Sequence, residues 1–148
     1  MTTDSTAVAA PILRYGGFWN RVVATVVDNF VLGFTFAVVG RLTGLDLFDS
    51  DPENLDFAGN LLALAIAWLY EALLTSSPWG ATVGKRALKL RVVTEQGERI
   101  SFARASGRFF AKILSALLLF VGFLMVAFTE RKRGLHDMLA GTVVVQTD

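Results

Sequence analysis

The chain has 148 residues, 53% of them hydrophobic, a mean hydropathy of +0.52 and a net charge of +1. That charge gives no bias toward nucleic acid, and the absence of cysteine excludes disulfides, thiolate catalysis, thiolate metal ligation and thiol-linked acylation. A soluble domain of this size carries about 45–50% apolar residues with glycine counted. Here glycine lies outside the count and the excess falls in three blocks, so a single membrane domain is expected over residues 17–148.

Residues 1–16 are expected to be a disordered cytoplasmic tail. They lack the basic start and short apolar core of a signal peptide. Tyr15, Phe18 and Trp19 suit the headgroup boundary. Residues 18–40, 23 in number, are long enough to span a bilayer and read as a retained anchor. Asp28 stands near their middle. A carboxylate at that depth costs roughly 2.5–3.5 kcal/mol on insertion scales, so it faces a partner, a bundle interior or an aqueous pathway. Arg21, Thr25, Asp28 and Thr35 share one helical stripe, with Asn29 beside it, and the stripe is expected to pack inward. Two helical turns, about 10.5 Å of rise, separate Arg21 from Asp28, so they are not direct neighbours. Two readings stand together. One is an ion or proton site in which Arg21 sets the state of Asp28. The other is a polar lock between helices, such bonds being worth about 0.6 kcal/mol on average.

Residues 41–56 form a loop with five acids (Asp46, Asp49, Asp51, Glu53, Asp56) against Arg41. Residues 57–75 are a second span, apolar without a break from 61 to 70. Glu71, near its far end, would match the depth of Arg21 and pair with it; the plainer alternative is an interfacial carboxylate open to water. Residues 76–80, Ser-Ser-Pro-Trp-Gly, end the span.

Residues 82–112 carry eight bases against Glu95 and Glu98. The positive-inside rule places this loop and the N-terminus in the cytoplasm, in a multi-pass protein of the plasma (inner) membrane. Anionic headgroups are its expected lipid partners. Residues 88–94 have strand character, and Gln96-Gly97 reads as a turn. Residues 101–112 predict a basic amphipathic helix with Phe102, Phe109 and Phe110 turned away from the arginines, the pattern of an interfacial helix. Residues 113–128 are apolar but number only 16, marginal for a span. Arg131, Lys132 and Arg133 follow and would lie outside if the block crossed. A β-branched run at 142–146 can pair with 88–94 only from the same side. These features favour a block that dips in and returns, bending at Gly122; a helix begun at Arg108, giving 108–128, would instead make a full third span.

Signals for catalysis are thin. Gly84-Lys85 lacks the upstream glycine, the following hydroxyl residue and the parallel strand of a phosphate loop. His136 is the single histidine, a poor basis for a metal site, and no Gly-x-Ser-x-Gly accompanies His136-Asp137. His136 is expected at the surface or interface. No enzymatic activity, cofactor, metal or nucleic-acid partner is expected.

Three ordered blocks carry a resemblance. They are Gly17-Phe18-Trp19-Asn20-Arg21 with Asp28, then residues 82–93 (TVGKRALKLRVV), then residues 135–145 (LHDMLAGTVVV). Together the chain resembles the RDD family of small bacterial membrane proteins, from about Gly17 to Val145. Ala87 stands where a second leucine is common, and the first loop is unusually acidic. The resemblance implies that the name-giving arginine and two aspartates are Arg21, Asp28 and Asp137, and that transport is the role to expect. If the C-terminus folds back, Asp137 would sit beside Arg21 at the mouth of a site, with Asp28 deeper. A proton or cation at Asp28 would then compete with Arg21.

The expected fold is an all-α membrane protein with two transmembrane helices, a third apolar helix or re-entrant hairpin, and a short cytoplasmic β-hairpin-like element. The expected function is a transport or ion-exchange component, with Arg21, Asp28, Glu71 and Asp137 binding substrate or ion. Two or three helices do not easily enclose a pathway, so a homo-oligomer is expected. The alternative is a non-transporting scaffold or accessory subunit whose basic loop docks lipid or a partner.

Overall fold

The computed structural model describes residues 14–47, 56–117, 128 and 130–147. The expected bend at Gly122 and most of the acidic loop lie outside them. Two long helices lead, α1 at Phe18–Thr43 and α2 at Phe57–Ser76. The short helix α3 (Val83–Ala87), strand β1 (Leu90–Thr94), helix α4 (Phe102–Leu117), short helix α5 (Leu135–Leu139) and strand β2 (Thr142–Gln146) follow. The protein is thus mostly helical with one small antiparallel sheet.

Helix α1 runs past the expected residue 40 and stops at Gly44, whose φ of 74° suits glycine and whose N–H reaches the Gly40 carbonyl at 2.8 Å. The Asp56 carboxylate starts α2 by accepting the Gly59 N–H at 3.0 Å. Both helices are long and apolar enough to cross a membrane, and 11% of each apolar window is buried within the protein. Phe30, Phe34, Leu42 and Phe57 are each more than 70% exposed. Water would not tolerate that much apolar surface, whereas hydrocarbon solvates it. The Thr25, Thr35 and Thr43 hydroxyls donate to carbonyls four residues back in α1, at 2.9, 2.8 and 2.9 Å. Those donors need no partner from another helix. This corrects the expected inward stripe: Thr25 is exposed, and Ala24 is buried with Asp28 in its place.

The compact part lies at one end, where α1 begins and α2 finishes. Ala24, Ala72, Leu90, Val92, Ile100, Ala105 and Val144 form its apolar core, with Trp68 and Leu88 against it. Strands β1 and β2 pair antiparallel, Val92 opposite Val144. This is no hairpin, since α4 and α5 lie between the two strands in the chain. The sheet's edges are covered. Gly16 N–H donates to the Val144 carbonyl at 2.9 Å and Gln146 N–H to the Arg14 carbonyl at 2.7 Å, while Val92 N–H reaches the Gly80 carbonyl at 2.7 Å. Residues 14–16, assigned to the tail from sequence, are therefore a short edge on β2, held by backbone bonds that composition does not reveal.

Helix α4 is also turned differently from expectation. Ala105, Arg108 and Ser115 are its buried residues, and with the partly buried Lys112 they form one stripe at i, i+3, i+7 and i+10. Phe102, Phe110, Ile113 and Leu114 are exposed on the other side. Trp68 of α2 anchors the helix through an indole N–H to the Ser106 hydroxyl at 3.0 Å and ring contacts with Phe102 and Phe110. Arg108 and Lys112 face in while Arg104 is exposed, unlike an interfacial helix with all its bases on headgroups.

The sheet joins residues 14–16, 80–94 and 142–146 at a single end of α1 and α2. Reporters placed before Phe18 and after Asp148 are expected to mark the same face of the membrane, and one within 48–55 the opposite face. Opposite sides for the two termini would contradict this sheet.

Candidate functional site

Three acids and four bases meet where α1, α2, α3, α4 and α5 converge. Asp28, Glu71 and Asp137 each receive their partners from other elements.

Asp28, 9% exposed, is held by three donors. The Tyr70 hydroxyl donates to Oδ1 at 2.7 Å, the Thr82 hydroxyl to Oδ2 at 2.6 Å, and the Gly84 N–H to Oδ1 at 2.7 Å. The Tyr70 oxygen in turn accepts the Val83 N–H at 3.2 Å. Glycine is needed at 84, since a Cβ there would stand 2.1 Å from the Ala24 carbonyl oxygen and 3.0 Å from the Asp28 carboxyl carbon. The segment 82–84 thus cradles an anion with hydroxyl and backbone donors, and the anion is the chain's own carboxylate. Arg21 and Asp28 do not pair, as their two-turn separation implies; each has other partners.

Arg21 bonds Asp137 instead, Nη1 to Oδ2 at 2.6 Å. Arg108 reaches the same carboxylate, Nη2 to Oδ1 at 2.8 Å. Asp137 is wholly buried, and its Oδ2 also lies 3.4 Å from the Gly134 N–H at the start of α5. Burial alone would raise its carboxyl, but the charges of Arg108 and Arg21 overrule that and hold it well below the usual carboxylate range. His136 is buried rather than at the surface or interface, because α5 tucks against α4 with its Nε2 3.5 Å from Asp137 Oδ1. Burial pushes its imidazole down to about 3, with Arg108, Lys112 and Lys85 adding to the effect against the pull of Asp137. His136 is neutral at pH 7.

Glu71 does not pair with Arg21 and is largely buried rather than open at an interface. Lys112 of α4 bonds its Oε1, and Lys85 Nζ of α3 lies 3.7 Å from the same oxygen. Burial pushes the Lys85 ammonium down to about 7, reinforced by Lys112 and opposed by Glu71. Arg108 ties the groups into one network, its charge acting on Arg21, Lys85, Glu71 and His136 as well as on Asp137.

The structure therefore brings together all four site residues named from sequence: Asp137 sits beside Arg21 as expected, while Asp28 and Glu71 have partners other than those expected. It adds Tyr70, Thr82, Gly84, Lys85, Arg108 and Lys112. From sequence the last three are bases set against lipid headgroups, Arg108 and Lys112 on an interfacial helix. The spacing of 105, 108, 112 and 115 carried the signal for the two on α4. Among the described residues no His, Cys, Asp and Glu cluster fits a metal ion. Outside the network a cleft is lined by Trp79, Arg86, Lys89 and Arg91, with the Arg86 guanidinium 4.2 Å over the Trp79 ring.

The RDD family model matches residues 15–141. The uncharacterized protein YxaI of Bacillus subtilis (strain 168) is 49% identical over 145 aligned residues, covering 87% of this chain and 95% of that protein. The uncharacterized membrane protein YteJ of the same organism is 32% identical over 139, covering 88% and 80%. The proline-rich antigen homolog of Mycobacterium tuberculosis (strain ATCC 25618 / H37Rv) is 36% identical over 67, covering 45% of this chain and 28% of that protein. No solved structure matches the chain at a significant level.

Two tests follow from the network. Glu71→Gln leaves Lys85 and Lys112 facing each other with little water, and is expected to cost about 3–5 kcal/mol in detergent unfolding. Lys85→Met keeps the stem and removes the repulsion, so it should stay within about 1 kcal/mol of the parent; equal losses would refute this charge arrangement. The second test is pH. The folded state holds His136 near 3, against about 6.5 unfolded, so the unfolded chain binds more protons in between and stability falls as pH drops through that window. Asp137 contributes only below about 4. From pH 7 to 5 the His136 share is about 2 kcal/mol, and His136→Asn should flatten it.

Proposed function

The chain belongs to the RDD family, and on that premise we propose that it is a transport or ion-exchange component of a bacterial plasma membrane. One observation carries the reading: α4 turns Arg108, Lys112 and Ser115 inward and its apolar residues outward. From Arg108 to Ser115 this polar stripe rises about 10 Å along the helix. Polar side chains aimed into the interior of a membrane protein mark solute pathways more often than random placement would. Asp28 is not the group that handles the solute in this reading, since its carboxylate is spent on Tyr70, Thr82 and Gly84.

The sheet end faces the cytoplasm, consistent with the bases clustered in 82–112 and at 131–133. The described helices do not by themselves enclose a path, and the bare flanks of α1 and α2 leave room for a second copy.

The cleft with Trp79 stacked under Arg86 supports a second reading, a scaffold or accessory subunit docked on anionic lipid through its basic loop. Reconstitution separates the two. Vesicles carrying the protein should dissipate an imposed ion gradient faster than empty vesicles, and Ser115→Leu, which blocks the stripe with an apolar side chain, should slow that flux about tenfold or more. Vesicles no leakier than empty ones to sodium, potassium, protons, chloride or formate would remove the transport reading.

A further inference from the structure

We propose that the paired guanidinium groups of Arg21 and Arg108 hold a small monovalent oxyanion, taken free from solution, between α1, α4 and α5. The proposal deepens the transport reading by giving the solute's charge, although such an anion would bind whether or not it is carried across.

The first observation is unmet hydrogen bonding. Arg108 has a side chain only 2% exposed and spends Nη2 on Asp137, yet its Nε and Nη1 have no partner among the described residues. Arg21 Nη2, also buried, has none either. Buried guanidinium donors are normally all bonded, so three such atoms in two groups that both reach Asp137 call for an acceptor.

The second is charge. Asp137 is one carboxylate against two arginines, and the neutral His136 adds nothing. The neighbouring excess at Glu71 has an outlet, because Lys85 is poised to give up its proton near neutrality. Arginine has no such outlet; it keeps its charge at every physiological pH. At that corner two fixed guanidinium charges face one carboxylate, which fits a monoanion and disfavours a dianion. A planar carboxylate or nitrate matches the guanidinium fork with acceptors on several sides. A lipid phosphodiester has the same charge, but a side chain 2% exposed leaves little access for a group carried on glycerol.

The test uses the full-length protein in neutral detergent, with sodium formate and sodium nitrate as probes, sulfate at matched ionic strength as the dianion, and phosphatidylglycerol as the lipid arm. Formate or nitrate should raise the melting temperature saturably by about 2–4 °C. Arg108→Lys keeps a charge toward Asp137 but loses the unpaired donors, so it should lose the rise. Should that variant not fold, arginine-labelled wild-type protein gives the same answer, since formate should move the Arg108 Nε resonance. No saturable rise with an unmoved Nε resonance would overturn the proposal. So would an equal rise with sulfate, or a response to phosphatidylglycerol alone. Binding without vesicle flux keeps the anion site and discards transport; flux of cations without anion binding does the reverse.

Discussion

Desolvation of Asp137 is the constraint around which the rest is arranged. A carboxylate with no exposed surface is stable only when opposite charges come to it. Arg21 arrives from α1 and Arg108 from α4, so one side chain ties the first helix, the fourth and the short fifth into a single point. Asp28 repeats the principle with neutral donors, joining α1 to Tyr70 of α2 and to the 82–84 turn. Glu71 does so a third time, between α2, α3 and α4. Apolar packing alone would not orient these elements, because their outer faces meet a medium as apolar as their core.

The separation of roles among the acids follows from the chemistry of their partners. Hydroxyls and a backbone N–H satisfy Asp28 without adding charge, so that corner is complete. Ammonium and guanidinium partners satisfy Glu71 and Asp137 but each overshoots by one positive charge. At the lysine corner burial lowers the Lys85 ammonium to about 7, so it gives up its proton more readily than a free lysine. The arginine corner keeps its excess, since guanidinium groups hold their charge.

Much of this was legible in the residues. Both long helices, the two strand segments and the importance of Asp28 follow from hydropathy, β-branching and the cost of a buried charge. Asp137 emerged only through the resemblance, since nothing in His136-Asp137 taken alone separates a buried hub from a surface pair. Asp137 beside Arg21 was expected, but the partners of Asp28 and Glu71 were not, because helical spacing gives a face, whereas a partner depends on where later elements dock. Arg21 and Glu71 do lie toward the same end of their helices, yet α3 and α4 supply closer bases to Glu71 and α5 a closer acid to Arg21. Arg108 was missed because a dense run of bases reads as solvated by default. The inward stripe of α4 was present in the spacing but masked by the assumption that charge faces water.

The Arg21–Asp137 contact spans 116 residues, and that separation has a consequence in time. At about 5–20 residues per second, synthesis takes roughly 6–23 s to travel from one partner to the other. Through that interval α1 enters the bilayer with an unneutralised cation at its head, in the form that orients a first segment. Only when the last short helix emerges does the same guanidinium become half of an ion pair. Arg21 is thus an unpaired base in the nascent chain before it is a structural tie in the finished protein, and its replacement would be felt first during insertion.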